Sequence, residues 1–267
     1  MIEAKNAKLS PIGRVLCEDV PSDRLRQGRP AEIEIYEPYR EGLARFSEHN
    51  FCWVLCWLER ADRSPLRVHP FFQDREKDEP YGVFAVRAPC RPNPISLTLT
   101  EVIAVSESGI TVEGLDVYNG TEVLDIKPYH HPDSVFAPRA PYMRQKDAVS
   151  RERQIMTRAL RHHGERCAPL AAAVRMACAA EGRFGNLISN ELKIAVEGPA
   201  CLADAMQGIT RARLANPPRF SYSPGDRWRC SFTRGEESLT LELKKESEGL
   251  SADDIAALSF EELFEKW

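Results

Sequence analysis

Apolar positions in the first half of the chain fall into short runs of β-branched and aromatic residues, each closed by Gly, Pro, Ser or Asn. The runs cover residues 12–16, 31–35, 51–58, 96–105 and 109–115. Their length and spacing predict strands of an antiparallel barrel or sandwich. A short helix is predicted over 37–45, with Pro38 in its first turn. The run 111–115 leads into Asp116-Val117-Tyr118-Asn119-Gly120, and Asn-Gly marks a tight turn because both residues tolerate positive φ.

Past Tyr129 the pattern changes. Pro132, Pro138 and Pro141 punctuate a boundary, and beyond it apolar residues recur at helical spacing over 151–161 and 170–180. Strands are predicted at 192–196, 227–233 and 239–244, then a terminal helix over 251–265 opened by Ser251 with Asp253 and Asp254 behind it. The expected fold class is a mainly β barrel domain over 1–138, a linker over 139–150 and an α+β domain over 151–267.

Composition narrows the function. A chain of 267 residues can bury two separate cores. Its net charge of −4 argues against gripping a polyanion by overall charge, so nucleic-acid contact needs a local patch. Arg144, Lys146, Arg151, Arg153, Arg158, Arg161 and Arg166 offer one against Asp147, Glu152 and Glu165. Read by itself, that stretch is a solvated helix face. The eight cysteines form no CxxC pair and are expected to be reduced and structural. The most apolar segment, 51–58, is too short for a bilayer and no leader-like run opens the chain, so a cytoplasmic protein without a membrane partner is expected.

Two segments carry unusual chemistry: GVFAVRAPCRPNPISL at 82–97 and EGLDVYNGTEVLDIKPY at 113–129. In the first, Arg91-Pro92-Asn93-Pro94 fixes φ twice and disfavours helix before each proline, giving a stiff, extended loop. Order before a ligand arrives lowers the entropy cost of binding it, although the same loop also suits a corner that caps a barrel. In the second, Asp125 and Lys127 share a strand face, with Asp116 and Tyr129 close by. Alone, such a pair is a surface ion pair of little weight.

These segments, with PIGRV at 11–15, RLRQ at 24–27 and LRVHPF at 66–71, resemble the TsaA-like family, the TrmO-type S-adenosylmethionine-dependent tRNA (adenine-N6) methyltransferases. The resemblance spans roughly residues 8–132. It implies a barrel that holds S-adenosyl-L-methionine, a homodimer with cofactor sites near the interface, and tRNA as partner. The implied methyl acceptor is N6 of a threonylcarbamoyl-modified adenosine beside the anticodon.

The family's Pro-Arg-Gln corresponds to Leu25, Arg26 and Gln27, its FATR arginine to Arg87, and its Asp-Gly-Thr turn to Asn119, Gly120 and Thr121, followed by Glu122. Leu99 stands at an aliphatic cofactor contact, and Glu59 with Arg60 where the family often has a histidine. These are the cofactor-binding candidates. Asp125, Lys127 and Tyr129 are the catalytic ones, for substrate orientation or proton acceptance. A carboxylate at Glu59 accepts hydrogen bonds but cannot reproduce an imidazole, which leaves two alternatives. One is methylation of a small molecule or metal-associated cofactor, the other a non-enzymatic module that senses the cofactor.

In the second half, HHGERCAPLAAAVRMA at 162–177 and EGPACLADAMQGITRARLANP at 197–217 resemble a degenerate FmdE-like domain. His163, Gly164, Cys167, Cys201, Asp204, Ala205, Gln207 and Thr210 are kept. Glu165 replaces a histidine, Ala212 a cysteine, and prolines the glycine-rich loop. The intact family supplies His and Cys to zinc, which takes four ligands or three plus water. The losses lead us to expect a structural or docking domain without metal, the alternative being a weakened zinc site of Cys167, Cys201 and His163.

Overall fold

A two-residue period of burial builds the wall of a closed barrel in the first half of the chain. Its strands are β1 (Gly13–Leu16), β2 (Arg29–Ile35) and β3 (Phe51–Trp57), then, after a separate ribbon of β4 (Arg67–Val68) and β5 (Tyr81–Gly82), β6 (Thr98–Val105), β7 (Gly109–Leu115) and β8 (Glu122–Pro128). The ring runs β1-β2-β7-β6-β3-β8, with β8 pairing back onto β1. Val15, Ile33, Ile35, Cys52, Val54, Cys56, Ile110, Val112 and Val123 fill the interior. In β3 the alternate residues Trp53, Leu55 and Trp57 are half-buried on the other face.

The structure is a computed structural model and describes residues 8–21, 25, 28–145, 147–247 and 249–266. It divides into two units, before and after the Ser134–Val135 junction. The helix predicted at 37–45 is a 3-10 helix, Glu37–Leu43, followed by a second short turn at Phe46–Glu48. Glu37–Leu43 buries no side chain, so it lacks the apolar stripe that stabilises an α-helix against its neighbours.

The second unit packs helices on a mixed sheet. Its elements are α1 (Ala148–His163), α2 (Ala168–Phe184), β9 (Lys193–Gly198), α3 (Ala200–Thr210), β10 (Phe220–Pro224), β11 (Arg229–Arg234), β12 (Glu237–Leu243), α4 (Ala252–Ala257), α5 (Phe260–Leu263) and β13 (Phe264–Lys266). The sheet order is β10-β9-β11-β12-β13, with β10 and β9 parallel. Leu170, Val174, Met176 and a series of alanines on α2 join Leu202 and Met206 of α3 and Phe232 and Leu241 of the sheet in one core. The predicted terminal helix is two helices and a strand. Ser259 caps α5 as Ser251 caps α4, and Leu258 between them is extended, so the second cap restarts the helix. Among the described residues no helix is long and apolar enough to cross a membrane.

Candidate functional site

Trp53 is the centre of one group of predicted site residues. On the outer face of β3 it pairs with Leu99 of β6 on one side and with Lys127 of β8 on the other. The Tyr129 ring lies 6.1 Å away, centroid to centroid, and the Arg87 guanidinium carbon 5.7 Å from the indole centroid, within cation–π range. Lys127 Nζ meets Asp125 Oδ2 at 2.6 Å. The Lys127 side chain is exposed and that of Asp125 half-buried, so the pair adds little stability.

Four residues further along β3, Trp57 pairs with Glu122. Glu122 accepts a hydrogen bond from the Tyr36 hydroxyl at 3.1 Å, and burial, then this bond, push that hydroxyl above its ordinary range. Arg60 stacks over Tyr118 at 5.0 Å and Arg63 over Trp57 at 5.5 Å. Arg63 also donates to the Pro92 carbonyl at 2.9 Å, while Leu58 N–H donates to the Pro94 carbonyl at 2.8 Å. The stiff loop is thus tied to the end of β3.

The 119–121 turn closes on β1. Gly120, at φ +77°, donates to the Val15 carbonyl, Thr121 Oγ1 donates to the Tyr118 carbonyl at 2.7 Å, and Asn119 Oδ1 accepts from the Cys17 N–H at 3.2 Å. Beside this turn Arg29 Nη2 donates to the Val117 carbonyl at 2.9 Å and contacts Cys17 Sγ at 3.0 Å. Its Nε and Nη1 are buried with no partner among the described residues. Buried donors without acceptors are costly.

The candidates therefore lie in two groups along one barrel face. Arg87, Leu99, Asp125, Lys127 and Tyr129 gather at Trp53, and Arg60, Asn119, Gly120, Thr121 and Glu122 lie toward Trp57 and the end of β1. Glu59 is exposed in the turn after β3. Leu25 contributes its carbonyl to the Gly28 N–H at 3.1 Å, and Arg26 and Gln27 lie outside the described residues. Sequence reasoning missed Trp53 and Arg29. The alternation of β3 placed Trp53 opposite the buried cysteines and was the available signal; no local pattern marked Arg29.

A separate cluster lies within the second unit. His163 ends α1, Gly164 at φ +84° reverses the chain, Cys167 caps α2 and Cys201 stands in the first turn of α3. The ligand atoms of His163, Cys167 and Cys201 all lie within 4.8 Å of one another, and His163 Nε2 is 3.4 Å from Cys167 Sγ. His163 Nδ1 meets Asp204 Oδ2 at 2.7 Å, so Nε2 is the nitrogen left to face the sulfurs. Burial pushes the Cys167 thiol up from its ordinary value, against a hydrogen bond from the Leu170 backbone. Without a cation the thiol form is favoured. Two sulfurs and one imidazole nitrogen in mutual reach fit a borderline-soft divalent ion such as zinc.

The basic stretch is less free than its sequence suggests. Arg158 donates to the Ile209 carbonyl at 3.2 Å, and burial lowers its pKa. Arg151 faces the buried Glu181 at 3.9 Å, and Arg166 pairs with Asp253 at 2.6 Å. Arg144, Arg153 and Arg161 are exposed, and Lys146 lies outside the described residues.

Residues 17–134 match the tRNA-methyltransferase O N-terminal domain family, and residues 162–264 the family described as FmdE, Molybdenum formylmethanofuran dehydrogenase operon. A probable S-adenosyl-L-methionine-binding protein of Archaeoglobus fulgidus is 34% identical over 192 residues, 69% of this chain and 51% of the relative. The chain thus spans about half of that protein's length. An S-adenosyl-L-methionine-binding protein of the same organism is 38% identical over 126 residues, 45% of this chain and 88% of the relative. A probable S-adenosyl-L-methionine-binding protein of Methanothermobacter thermautotrophicus is 36% identical over 128 residues, 46% of this chain and 90% of the relative. With its barrel aligned to nearly the full length of two such relatives, the chain belongs to the TsaA-like family defined by the tRNA-methyltransferase O N-terminal domain, here joined to an FmdE-type second half.

Proposed function

We propose that this chain is an S-adenosyl-L-methionine-dependent methyltransferase acting on N6 of a threonylcarbamoyl-modified adenosine beside the tRNA anticodon. One observation carries the reading: Arg87, Leu99, Lys127 and Tyr129 gather around Trp53 in the half of the chain that its cofactor-binding relatives match. The residues suit that cofactor. The orphaned donors of Arg29 and the exposed Arg87 answer a carboxylate, and Trp53 with Leu99 offers apolar surface to an adenine ring. Arg26, Gln27, Leu25, Glu59, Arg60 and the 119–122 turn complete the cofactor shell.

The bound cofactor supplies an electrophilic methyl group. The chain's part is to hold the acceptor nitrogen in line with it, an effect worth up to roughly 7–11 kcal/mol in favourable cases. Asp125, paired with Lys127 and partly open to solvent, orients the acceptor and takes its proton, and Tyr129 borders the same place. Proton acceptance by a positioned side chain adds about 10² to 10⁴-fold.

The working form is a cytoplasmic homodimer. Phe84 at 81% exposure, with Leu66 and Leu97 also exposed, supplies apolar surface that a second copy would cover. The His163, Cys167 and Cys201 cluster favours a second reading, in which the acceptor is a small molecule or a metal-associated cofactor. Mass spectrometry of RNA and metabolites incubated with the full chain and labelled cofactor separates the two. Label in the anticodon-loop adenosine supports the first, label in a small molecule the second, and tight cofactor binding without turnover a sensing module.

A further inference from the structure

We propose that Arg63 is a positioning residue of the cofactor site: through the Pro92 carbonyl it holds the loop of 86–97 in place, and Arg87 with it. The proposal rests on the reading that Arg87 belongs to the cofactor shell. Prolines dictate how that loop can be fastened. Pro92 and Pro94 have no N–H, so each can be held through its carbonyl but not through its nitrogen. The Pro94 carbonyl accepts from the Leu58 N–H at 2.8 Å and the Ser96 N–H donates to the Cys56 carbonyl at 2.9 Å, which carries the pairing of β3 as far as the bridge between Trp57 and Ile95. Pro92 lies beyond that ladder. There Arg63 Nε donates to the Pro92 carbonyl at 2.9 Å, a side chain in the place of a strand partner.

Arg63 is itself fixed from two sides. Its guanidinium carbon lies 5.5 Å from the centroid of the Trp57 ring, within cation–π range. Its neighbours form a turn in which Asp62 Oδ1 accepts from the N–H of Ser64 at 2.9 Å and from its hydroxyl at 2.8 Å. Those bonds, the backbone one first, hold the Asp62 carboxyl below its usual range, so the turn keeps its acceptor at neutral pH.

Two arginines thus lie over the two indoles of β3, Arg63 over Trp57 and Arg87 over Trp53, one from each half of the segment that joins β3 to β6. Between them Arg91 Nη1 reaches the Val86 carbonyl at 3.5 Å, which links the clamped prolines to the residue beside Arg87. Without Arg63 the Pro92 carbonyl loses that donor and the chain before it is free to leave β3. Arg87 must then be ordered anew when the cofactor arrives, and ordering at the moment of binding lowers affinity.

The test is calorimetry with S-adenosyl-L-methionine on the full chain, together with tryptic cleavage after Arg87 in the absence of cofactor. Arg63→Ala is expected to bind the cofactor roughly 3 to 10-fold more weakly and to be cut faster after Arg87. Its melting temperature stays that of the wild type, since Arg63 is exposed. Arg63→Lys, whose ammonium still donates to a carbonyl, recovers part of both losses. In a background of Arg87→Ala the effect of Arg63→Ala on affinity disappears, because it acts through Arg87. Arg75→Ala, exposed between β4 and β5, behaves as wild type. An Arg87→Ala variant of unaltered affinity overturns the cofactor reading of Arg87, and the role of Arg63 with it. Where Arg87→Ala does weaken binding, the role of Arg63 alone is overturned if Arg63→Ala binds or is cut as wild type, adds its full effect to that of Arg87→Ala, or is matched by Arg75→Ala.

Discussion

The Arg87 guanidinium carbon stands 5.7 Å from the centroid of the Trp53 ring, joining the loop of 82–97 to the outer face of β3. If that pair forms part of the cofactor site, Arg87→Ala removes a charge-assisted hydrogen bond to the ligand, worth about 1.5–3 kcal/mol. Calorimetry should then show S-adenosyl-L-methionine binding weakened by roughly 10 to 100-fold. An unaltered affinity would take Arg87 out of the site.

Tests of tRNA binding need exposed arginines. Arg158 is tied to the Ile209 carbonyl, and reversing its charge would damage the fold before it affected any ligand. Arg153→Glu with Arg161→Glu is the informative pair, since both residues are exposed. Each lost phosphate contact should reduce the salt slope of tRNA binding by about 0.7 to 0.9. A slope that stays the same while binding persists places the tRNA contacts elsewhere.

Acid should weaken the caps of α4 and α5. Asp254 and Glu262 are held below the usual carboxylate range by the Ser251 and Ser259 side chains, then by the same residues' backbone N–H groups. A depressed pKa in the folded state gives stability that is present above the unfolded value, roughly pH 4, and is lost as pH falls through the folded one. Ser251→Ala with Ser259→Ala should lower the melting temperature at neutral pH and make its decline below about pH 4 less steep. Parallel melting curves of mutant and wild type across that window would contradict this.

Phe232 lies at the centre of the second unit, fully buried on β11 between Ile194 of β9 and Leu239 of β12. Phe232→Ala should cost about 3–5 kcal/mol in urea unfolding, from lost transfer energy and the cavity left behind. A cost under about 1 kcal/mol would mean that the surrounding residues collapse into the space.

The barrel's strands were legible because their signal is local, whereas a barrel rather than a sandwich was implied only by the family resemblance. Cys52, Val54 and Cys56 alternate with Trp53, Leu55 and Trp57, and a period of two needs no tertiary information to read. The helix α3 was not legible, since Gly208 within it is dictated by His162 of another helix, and the edge strand β10 has one buried residue of five. The same division applies to the sites. Arg87 and the 119–121 turn stand in contiguous motifs, whereas Arg29 acquires its significance from Val117 and Cys17, which only folding brings to it. His163 and Asp204 are 41 residues apart, and their meeting depends on how α1 and α3 pack.

A ring of strands has no exposed edge only once the last strand is in place. Gly13 pairs with Val123, so the closing ladder joins residues roughly 110 positions apart, a long loop to close. At about 5–20 residues per second of synthesis, β1 leaves the ribosome roughly 5 to 20 seconds before its second partner exists. During that interval the unfinished wall has unpaired amides and carbonyls along β1, the kind of edge on which other chains can add.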